Sequence, residues 1–213
     1  MVDRALPKRC EACARPSSRC LCSTIPRLHS STRMLIIQHP SERHHALNTA
    51  RFLAAGLVNA ELHVVEHIAP GSALYSQLAD PARRTEVLFP GPGASSLARA
   101  ADPREHQLVL LDGTWRKARK LLHLNPILAV LPQVALAAGL ASRYRLRKAP
   151  APGALSTIEA GVAALEVLEP DKSFQALLRP FDRLIEEQIA SIGTELYRRN
   201  YLKPGSADSG SDR

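Results

Sequence analysis

Short apolar runs that are typical of buried strands alternate with helical segments over most of the 213-residue chain. Such alternation predicts an α/β fold with a mostly parallel sheet. The clearest strand is the QLVLL run at 107–111, which Asp112 and Gly113 interrupt. Further strands are predicted at Arg33–Gln38, Glu61–His67, Glu86–Phe89, Val134–Leu136 and Tyr144–Arg147. Helices are predicted at Leu47–Leu57, Thr114–His123, Ser156–Leu168 and Ser173–Asn200.

The carboxyl edge of such a sheet is the expected place for a ligand. Three segments of strand-then-turn form should meet there, namely Leu88–Gly91, Leu111–Trp115 and Ala149–Thr157. Asp112 lies beside the only tryptophan of the chain, an arrangement that suits proton abstraction next to a stacked base. Alternatively, Asp112 or Thr114 caps the following helix and Trp115 packs into the core, and spacing alone slightly favours this alternative.

Positive charge is concentrated in one segment. The formal net charge is +8, yet residues 113–158 contain no Asp or Glu. A concentrated positive field suits a polyanion such as RNA, whereas a solvated basic face without a partner is the alternative. The candidate RNA contacts in this segment are Arg116, Lys117, Arg119, Lys120, Arg143, Arg145, Arg147 and Lys148. His39 and Arg43, in the histidine-rich loop after the first strand, are further polar candidates for substrate contact.

Four cysteines near the N-terminus form the pattern C-x2-C-x6-C-x-C, from Cys10 and Cys13 to Cys20 and Cys22. In a reducing cytosol, clustered thiols of this kind indicate a structural zinc site, with reduced or redox-active thiols as the alternative. A catalytic zinc is disfavoured because four protein ligands leave no open coordination position. We expect a zinc knuckle over residues 1–30, a catalytic domain over 31–202 and a disordered tail over 203–213.

The LSTIEA segment at 155–160 has the signature of a capping box, with Ser156 and Glu159 three residues apart. Capping alone explains both residues, although a helix N-terminus is also a ready site for the carboxylate of a ligand. The chain lacks a P-loop and a G-x-G-x-x-G motif, which disfavours nucleotide triphosphatases and ordinary dinucleotide enzymes. It also lacks a signal-peptide pattern and a long apolar run, so we expect a cytoplasmic protein that does not enter a membrane.

Taken together, these segments resemble the DTW-domain family over roughly residues 10–168. The matching motifs, in chain order, are the four-cysteine cluster, Gln38-His39-Pro40 with Glu42, Asn48-Thr49-Ala50-Arg51, Leu88-Phe89-Pro90, Leu111-Asp112-Gly113-Thr114-Trp115 with Ala118-Arg119-Lys120, Tyr144-Arg145-Leu146-Arg147 and Leu155-Ser156-Thr157-Ile158-Glu159-Ala160. Members of this family resemble enzymes that transfer the 3-amino-3-carboxypropyl group of S-adenosylmethionine to N3 of a uridine in tRNA. The implied fold is a SPOUT-like sheet whose C-terminal part forms a trefoil knot.

The resemblance also implies site residues. Asp112 is the expected base for the uracil N3 proton, with Thr114 and Trp115 as the other candidate catalytic residues. Glu159 ranks below Asp112 because capping already explains it. The residues expected at the cofactor pocket are Leu88, Phe89, Pro90, Gly91, Leu111, Leu155, Ser156, Thr157, Glu159 and Ala160. Two other hypotheses stay open, a SPOUT-like RNA methyltransferase and a non-catalytic zinc-knuckle RNA-binding protein.

Overall fold

Six parallel strands form one sheet in the computed structural model, which describes residues 8–146, 154–193 and 196–197. The strands are β1 (Arg33–Gln38), β2 (Ala60–Val64), β3 (Arg83–Leu88), β4 (Ser95–Ser96), β5 (Glu105–Asp112) and β6 (Gln133–Ala135). Their spatial order is β2-β1-β5-β3-β6-β4, and the pairings between them are parallel. The predicted α/β class with a mostly parallel sheet is therefore confirmed.

Helices cover both faces of this sheet. They are α1 (Ala50–Gly56), α2 (Ala73–Leu78), α3 (Trp115–Leu124), α4 (Pro126–Ala129), α5 (Thr157–Leu168) and α6 (Arg179–Ile192). Met34 and Ile36 point into the core beneath α1, α5 and α6, whereas Leu35 and Ile37 point into a second core beneath α2, α3 and α4. Burial on both faces explains why β1 is a continuous apolar run rather than an alternating one.

The register of the two central strands determines what lies at the carboxyl edge. Gln38, the last residue of β1, is paired with Asp112, the last residue of β5. Helix α5 packs closely on α1, since a Cβ at Gly161 would lie 2.5 Å from a methyl carbon of Leu53. This packing holds the N-terminus of α5, at Thr157, beside the end of β5.

Most predicted elements are present with shifted ends. The strand at 33–38 has the predicted bounds, and the helix predicted at 114–123 begins at Trp115 with Thr114 as its N-cap. Helices α2 and α4 and the two-residue strand β4 were not predicted. The predicted helix from Ser173 begins only at Arg179, because residues 175–178 form a 3-10 helix, and Gly193 with a φ of +87° follows its last residue.

The predicted strand at 144–147 is wrong over its described part, 144–146. The backbone hydrogen bonds of this segment are local, since the N–H of Arg145 donates to the carbonyl of Arg143 at 2.8 Å. The N–H of Tyr144 donates to the Ser142 hydroxyl at 3.0 Å, and its ring packs edge-on against Phe181. These local bonds form a turn instead of a strand. Arg147, Lys148 and the predicted tail at 203–213 lie outside the described residues.

Candidate functional site

Asp112 lies at the carboxyl edge with its side chain held from two sides. The Gln38 amide donates from Nε2 to Oδ2 of Asp112 at 2.7 Å, and the Thr157 hydroxyl donates to Oδ1. Only 8% of Asp112 is exposed. The carboxylate therefore has a fixed orientation between β1 and the N-terminus of α5.

The surroundings of Asp112 favour its protonated form. Burial raises the pKa of Asp112, and the nearby Glu42 carboxylate raises it further, while the hydrogen bonds from Thr157 and Gln38 and the charge of His45 oppose the rise. Desolvation disfavours the ionised form of a carboxyl group, so the first cause is the expected one. An acid whose pKa is raised in this way is a better proton acceptor than an ordinary aspartate.

Gln38 brings a second polar atom to the same place. The residue is fully buried, and within the described part of the chain its Oε1 atom has no hydrogen-bond donor. Buried acceptors of this kind are uncommon in folded proteins. A carboxylate and an unsatisfied amide oxygen thus lie side by side at the end of the two central strands.

The side of Asp112 toward β3 is aromatic. Phe89 directly follows β3, and its ring meets Trp115 at a centroid distance of 5.6 Å and an interplanar angle of 61°. Both side chains are half-buried, whereas Pro90 and Gly91 are exposed. The structure thus brings together two segments, at 88–91 and 111–115, that the sequence predicted to meet.

The side toward β1 is charged. Lys117, on the first turn of α3, forms an ion pair with Glu42 at 2.6 Å. The backbone N–H of His39 donates to the Asp112 carbonyl at 3.0 Å. Its imidazole contacts Glu66 at 3.2 Å, and Lys120 contacts the same carboxylate at 2.5 Å.

Thr114 and Glu159 have structural partners of their own. The Thr114 hydroxyl accepts from the N–H of Lys117 at 3.4 Å, so Thr114 caps α3 while Asp112 does not. Glu159 completes the predicted capping box, accepting from the N–H of Ser156 at 2.8 Å. It also accepts from the N–H of Arg143 at 2.5 Å and from the Ser142 hydroxyl. These donors occupy the carboxylate and tie the 142–143 segment to α5.

The remaining candidates around α5 and on the basic surface differ in exposure. Leu111, Leu155, Thr157 and Ala160 are half-buried, whereas Ser156 is buried. Arg116 and Arg119 are exposed on α3, as are Arg43 and Arg145 elsewhere. Arg143 is exposed and contacts Asp182 at 3.4 Å.

The four cysteines come together as predicted. All four Sγ atoms lie within 4.8 Å of one another, with Cys10–Cys22 at 3.6 Å and Cys13–Cys20 at 3.8 Å. A tetrahedral zinc with Zn–S bonds of about 2.3 Å requires S···S distances of about 3.8 Å, so this set fits a zinc ion. The backbone N–H of Cys13, followed by the Cys22 thiol, lowers the pKa of Cys10 to about 6, whereas burial raises the pKa of Cys22.

The cysteine cluster packs onto the rest of the fold. Cys13 and Leu21 belong to the core that also contains α5 and α6. Arg15, which follows the first cysteine pair, forms an ion pair at 2.5 Å with Glu187 on α6. Among the described helices, none combines the length and the apolar character needed to cross a bilayer.

Gln38 and Glu42 are the residues near Asp112 that were not assigned a role from the sequence. The signal that pointed to them was the QHP motif with Glu42, which matched the family pattern but has no chemistry evident from spacing. Their place beside Asp112 depends on the pairing of β1 with β5, two strands that are far apart in the sequence.

Comparison with known proteins places these features in a family. The family profile described as DTW domain matches residues 7–189. A protein of Macaca fascicularis named tRNA-uridine aminocarboxypropyltransferase 2 is 32% identical over 205 residues, covering 92% of this chain and 69% of the relative. A Drosophila melanogaster protein of the same name is 32% identical over 203 residues, covering 91% and 80%.

More distant relatives extend to plants. A protein of Arabidopsis thaliana named tRNA-uridine aminocarboxypropyltransferase A is 28% identical over 233 residues, covering 92% of this chain and 82% of the relative. No solved structure matches the chain significantly. The family profile spans most of the chain, including the cysteine cluster, Asp112 and α5, and the chain therefore belongs to the DTW-domain family.

Proposed function

We propose that this protein is a tRNA-uridine aminocarboxypropyltransferase, which transfers the 3-amino-3-carboxypropyl group of S-adenosylmethionine to N3 of a uridine in tRNA. Relatives from monkey, fly and plant carry the name of this activity and align over most of the chain. The single observation that carries the proposal is the buried Asp112 carboxyl, held by Gln38 and Thr157 at the carboxyl edge of the sheet.

The carboxyl edge offers groups that fit both substrates. The Phe89–Trp115 pair provides an aromatic wall of the kind on which bases stack. Leu111, Leu155 and Thr157 are half-buried near the end of β5 and the start of α5, where they would form the remainder of a cofactor pocket. S-adenosylmethionine, when bound, supplies a sulfonium that is already activated for displacement of its aminocarboxypropyl carbon.

The protein's contribution is then orientation and proton removal. Asp112 takes the proton of uracil N3 as N3 forms a bond to the terminal methylene carbon of the transferred group. The electron pair of the broken carbon–sulfur bond leaves with methylthioadenosine. Gln38 and Thr157 hold the accepting carboxyl group in place, and its raised pKa suits a group that must receive a proton.

We assign tRNA binding to the basic segment. Arg116 and Arg119 are exposed on α3, which begins three residues after Asp112, and this exposure supports contacts with phosphates near the target base. Arg143, Arg145, Lys120 and the two basic residues at 147–148 extend the same assignment. Phosphate contact is a weaker assignment for four of the candidate residues, because each already pairs with an acidic side chain: His39, Lys117, Lys120 and Arg143.

The proposal includes three further parts. A structural zinc ion is held by the four cysteines of the knuckle at 1–30, a fit that the sulfur distances support. The catalytic domain over 31–202 carries the SPOUT-like trefoil knot in its C-terminal part. The protein acts in the cytoplasm, where its tRNA substrate and reduced cysteines are both found.

Isotope transfer tests the proposal directly. Purified protein is incubated with bulk tRNA and with S-adenosylmethionine labelled either in the methyl group or in the carboxyl-bearing chain. We expect label in RNA only from the carboxyl-bearing batch. Label only from the methyl batch would make the protein an RNA methyltransferase. Binding of tRNA without label from either batch would contradict catalysis on tRNA and favour a non-catalytic binding protein.

A further inference from the structure

The loops around Asp112 have an ion pair on one side and an aromatic pair on the other. Glu42 follows β1 and pairs with Lys117 on α3, whereas Phe89 follows β3 and contacts Trp115. Strand β5, which ends in Asp112, lies between β1 and β3. A ligand that extends across the end of β5 thus meets charged groups at one end and aromatic groups at the other.

The Glu42–Lys117 pair is close to Asp112. A Cβ placed on Gly113 would lie 3.0 Å from Cβ of Lys117, so the lysine stem passes directly over the residue that follows Asp112. Glu42 lies within electrostatic reach of the Asp112 carboxyl, whose pKa it raises. The absence of a side chain at Gly113 is what allows Lys117 to approach this strand end.

The pair is also accessible. The side chains of Lys117 and Glu42 are 25% and 15% exposed, so each has a surface from which a ligand group could be contacted. The neighbouring Lys120–Glu66 pair differs, because its lysine is 53% exposed and its carboxylate lies next to His39. Both lysines lie on α3, so the two pairs allow a comparison between an inner and an outer site at the same helix.

We infer that Glu42 and Lys117 bind the amino-acid end of the donor, Glu42 contacting its ammonium group and Lys117 its carboxylate. The inference rests on the proposed function. The transferred group carries one positive and one negative charge, and the pair offers the complementary charges, so binding buries no net charge. The adenosine end then lies toward Phe89 and Trp115.

This orientation accounts for selectivity between the groups on the sulfonium. All three carbons bonded to the sulfur are electrophilic, and the one that faces the nucleophile is transferred. Fixing the ammonium and carboxylate on the β1 side, and adenosine on the β3 side, places the intervening methylene chain next to Asp112. Glu42 and Lys117 are therefore specificity-determining residues for aminocarboxypropyl rather than methyl transfer.

Binding measurements with three ligands and two variants test the inference without requiring turnover. The full-length protein is titrated with S-adenosylmethionine, with its decarboxylated form, which lacks the carboxylate, and with methylthioadenosine, which lacks both charged groups. Lys117→Met should weaken binding of S-adenosylmethionine by about 10- to 100-fold, the usual cost of a charged hydrogen bond, and leave the other two ligands within about twofold. Glu42→Gln should weaken the first two ligands and leave methylthioadenosine unchanged.

The matched controls are Lys120→Met and Glu66→Gln, which remove the outer pair and should leave all three donor affinities unchanged. Equal losses for all three ligands in the Lys117 and Glu42 variants, or no losses, would overturn the inference. Thermal unfolding of each variant separates a folding defect from a lost contact. If the wild-type protein binds none of the three ligands, the proposed function itself fails, a result distinct from loss of selectivity among them.

Discussion

Two buried carboxyl groups lie near the N-terminus of α5 and have different partners. Asp112 is 8% exposed and accepts hydrogen bonds from two side chains, Gln38 and Thr157. Glu159 is 6% exposed and accepts from two backbone N–H groups and two serine hydroxyls, all within residues 142–156. Similar burial therefore accompanies two different sets of donors, and under the proposed function the donor set, rather than burial, separates the reactive carboxyl from the structural one.

The largest effect is expected from Asp112→Asn. Asparagine keeps the size of the side chain but cannot accept a proton, so the transfer rate should fall by about 10²- to 10⁴-fold, the usual contribution of a general base. The Gln38 amide can turn to present its oxygen to the new amide, so unfolding free energy should change by less than about 1 kcal/mol. Single-turnover transfer and urea unfolding measure the two quantities. A wild-type rate would remove Asp112 from the mechanism.

Glu159→Gln should have the opposite profile. It replaces a charged acceptor of several donors by an amide whose NH2 group faces N–H groups, which should cost about 2–3 kcal/mol of unfolding free energy. The transfer rate of the remaining folded protein should stay near that of the wild type. Glu166→Gln, on the same helix but with an exposed partner at Gln175, is the control and should change stability by less than about 0.5 kcal/mol. A stable but inactive Glu159→Gln protein would contradict a purely structural role.

The surroundings of Glu159 were predicted from the sequence better than those of Asp112. The Glu159 cap depends on residues three apart, and its signature is local, so the capping box was predicted correctly. The position of Asp112 at a strand end followed from the apolar run before it. Its partners Gln38 and Thr157 were not predictable as partners, because they depend on strand register and on the packing of α5 against α1.

The errors in the predicted secondary structure also arise because partners that are distant in the sequence cannot be predicted from local patterns. The segment at 144–146 has strand-like residues, yet its N–H groups find local acceptors in a turn. Helix α2 has only six residues, too few for an apolar periodicity to distinguish it, although Ser72 caps it. Local signals are therefore reliable in this chain where a hydrogen bond closes over a few residues, and unreliable where distant segments supply the partner.

Removing one hydrogen-bond donor from Asp112 and one from Glu159 should give smaller differences in rate and stability. Thr157→Val removes a hydrogen bond that lowers the pKa of Asp112, so the acid limb of the pH–rate profile should move to higher pH. Ser142→Ala removes a hydroxyl donor to Glu159 and should cost about 1 kcal/mol of stability while leaving the profile in place. Transfer rates between pH 5 and 9, with urea unfolding of both variants, make the comparison. A shift of the profile in Ser142→Ala alone would reverse the two assignments.

The smallest effect is expected in the pH dependence of stability. Because the folded protein raises the pKa of Asp112 above its unfolded value, the folded state holds this proton more tightly. Below the unfolded pKa, about 3.9, both states are protonated and Asp112 contributes nothing. As pH rises from the unfolded pKa to the folded pKa, the wild type should lose stability relative to Asp112→Asn, and above the folded pKa the difference should stay constant. Urea unfolding of both proteins from pH 4 to 8 measures this difference. The opposite slope would mean that the hydrogen bonds from Gln38 and Thr157 outweigh burial, and that Asp112 is an ordinary ionised carboxylate.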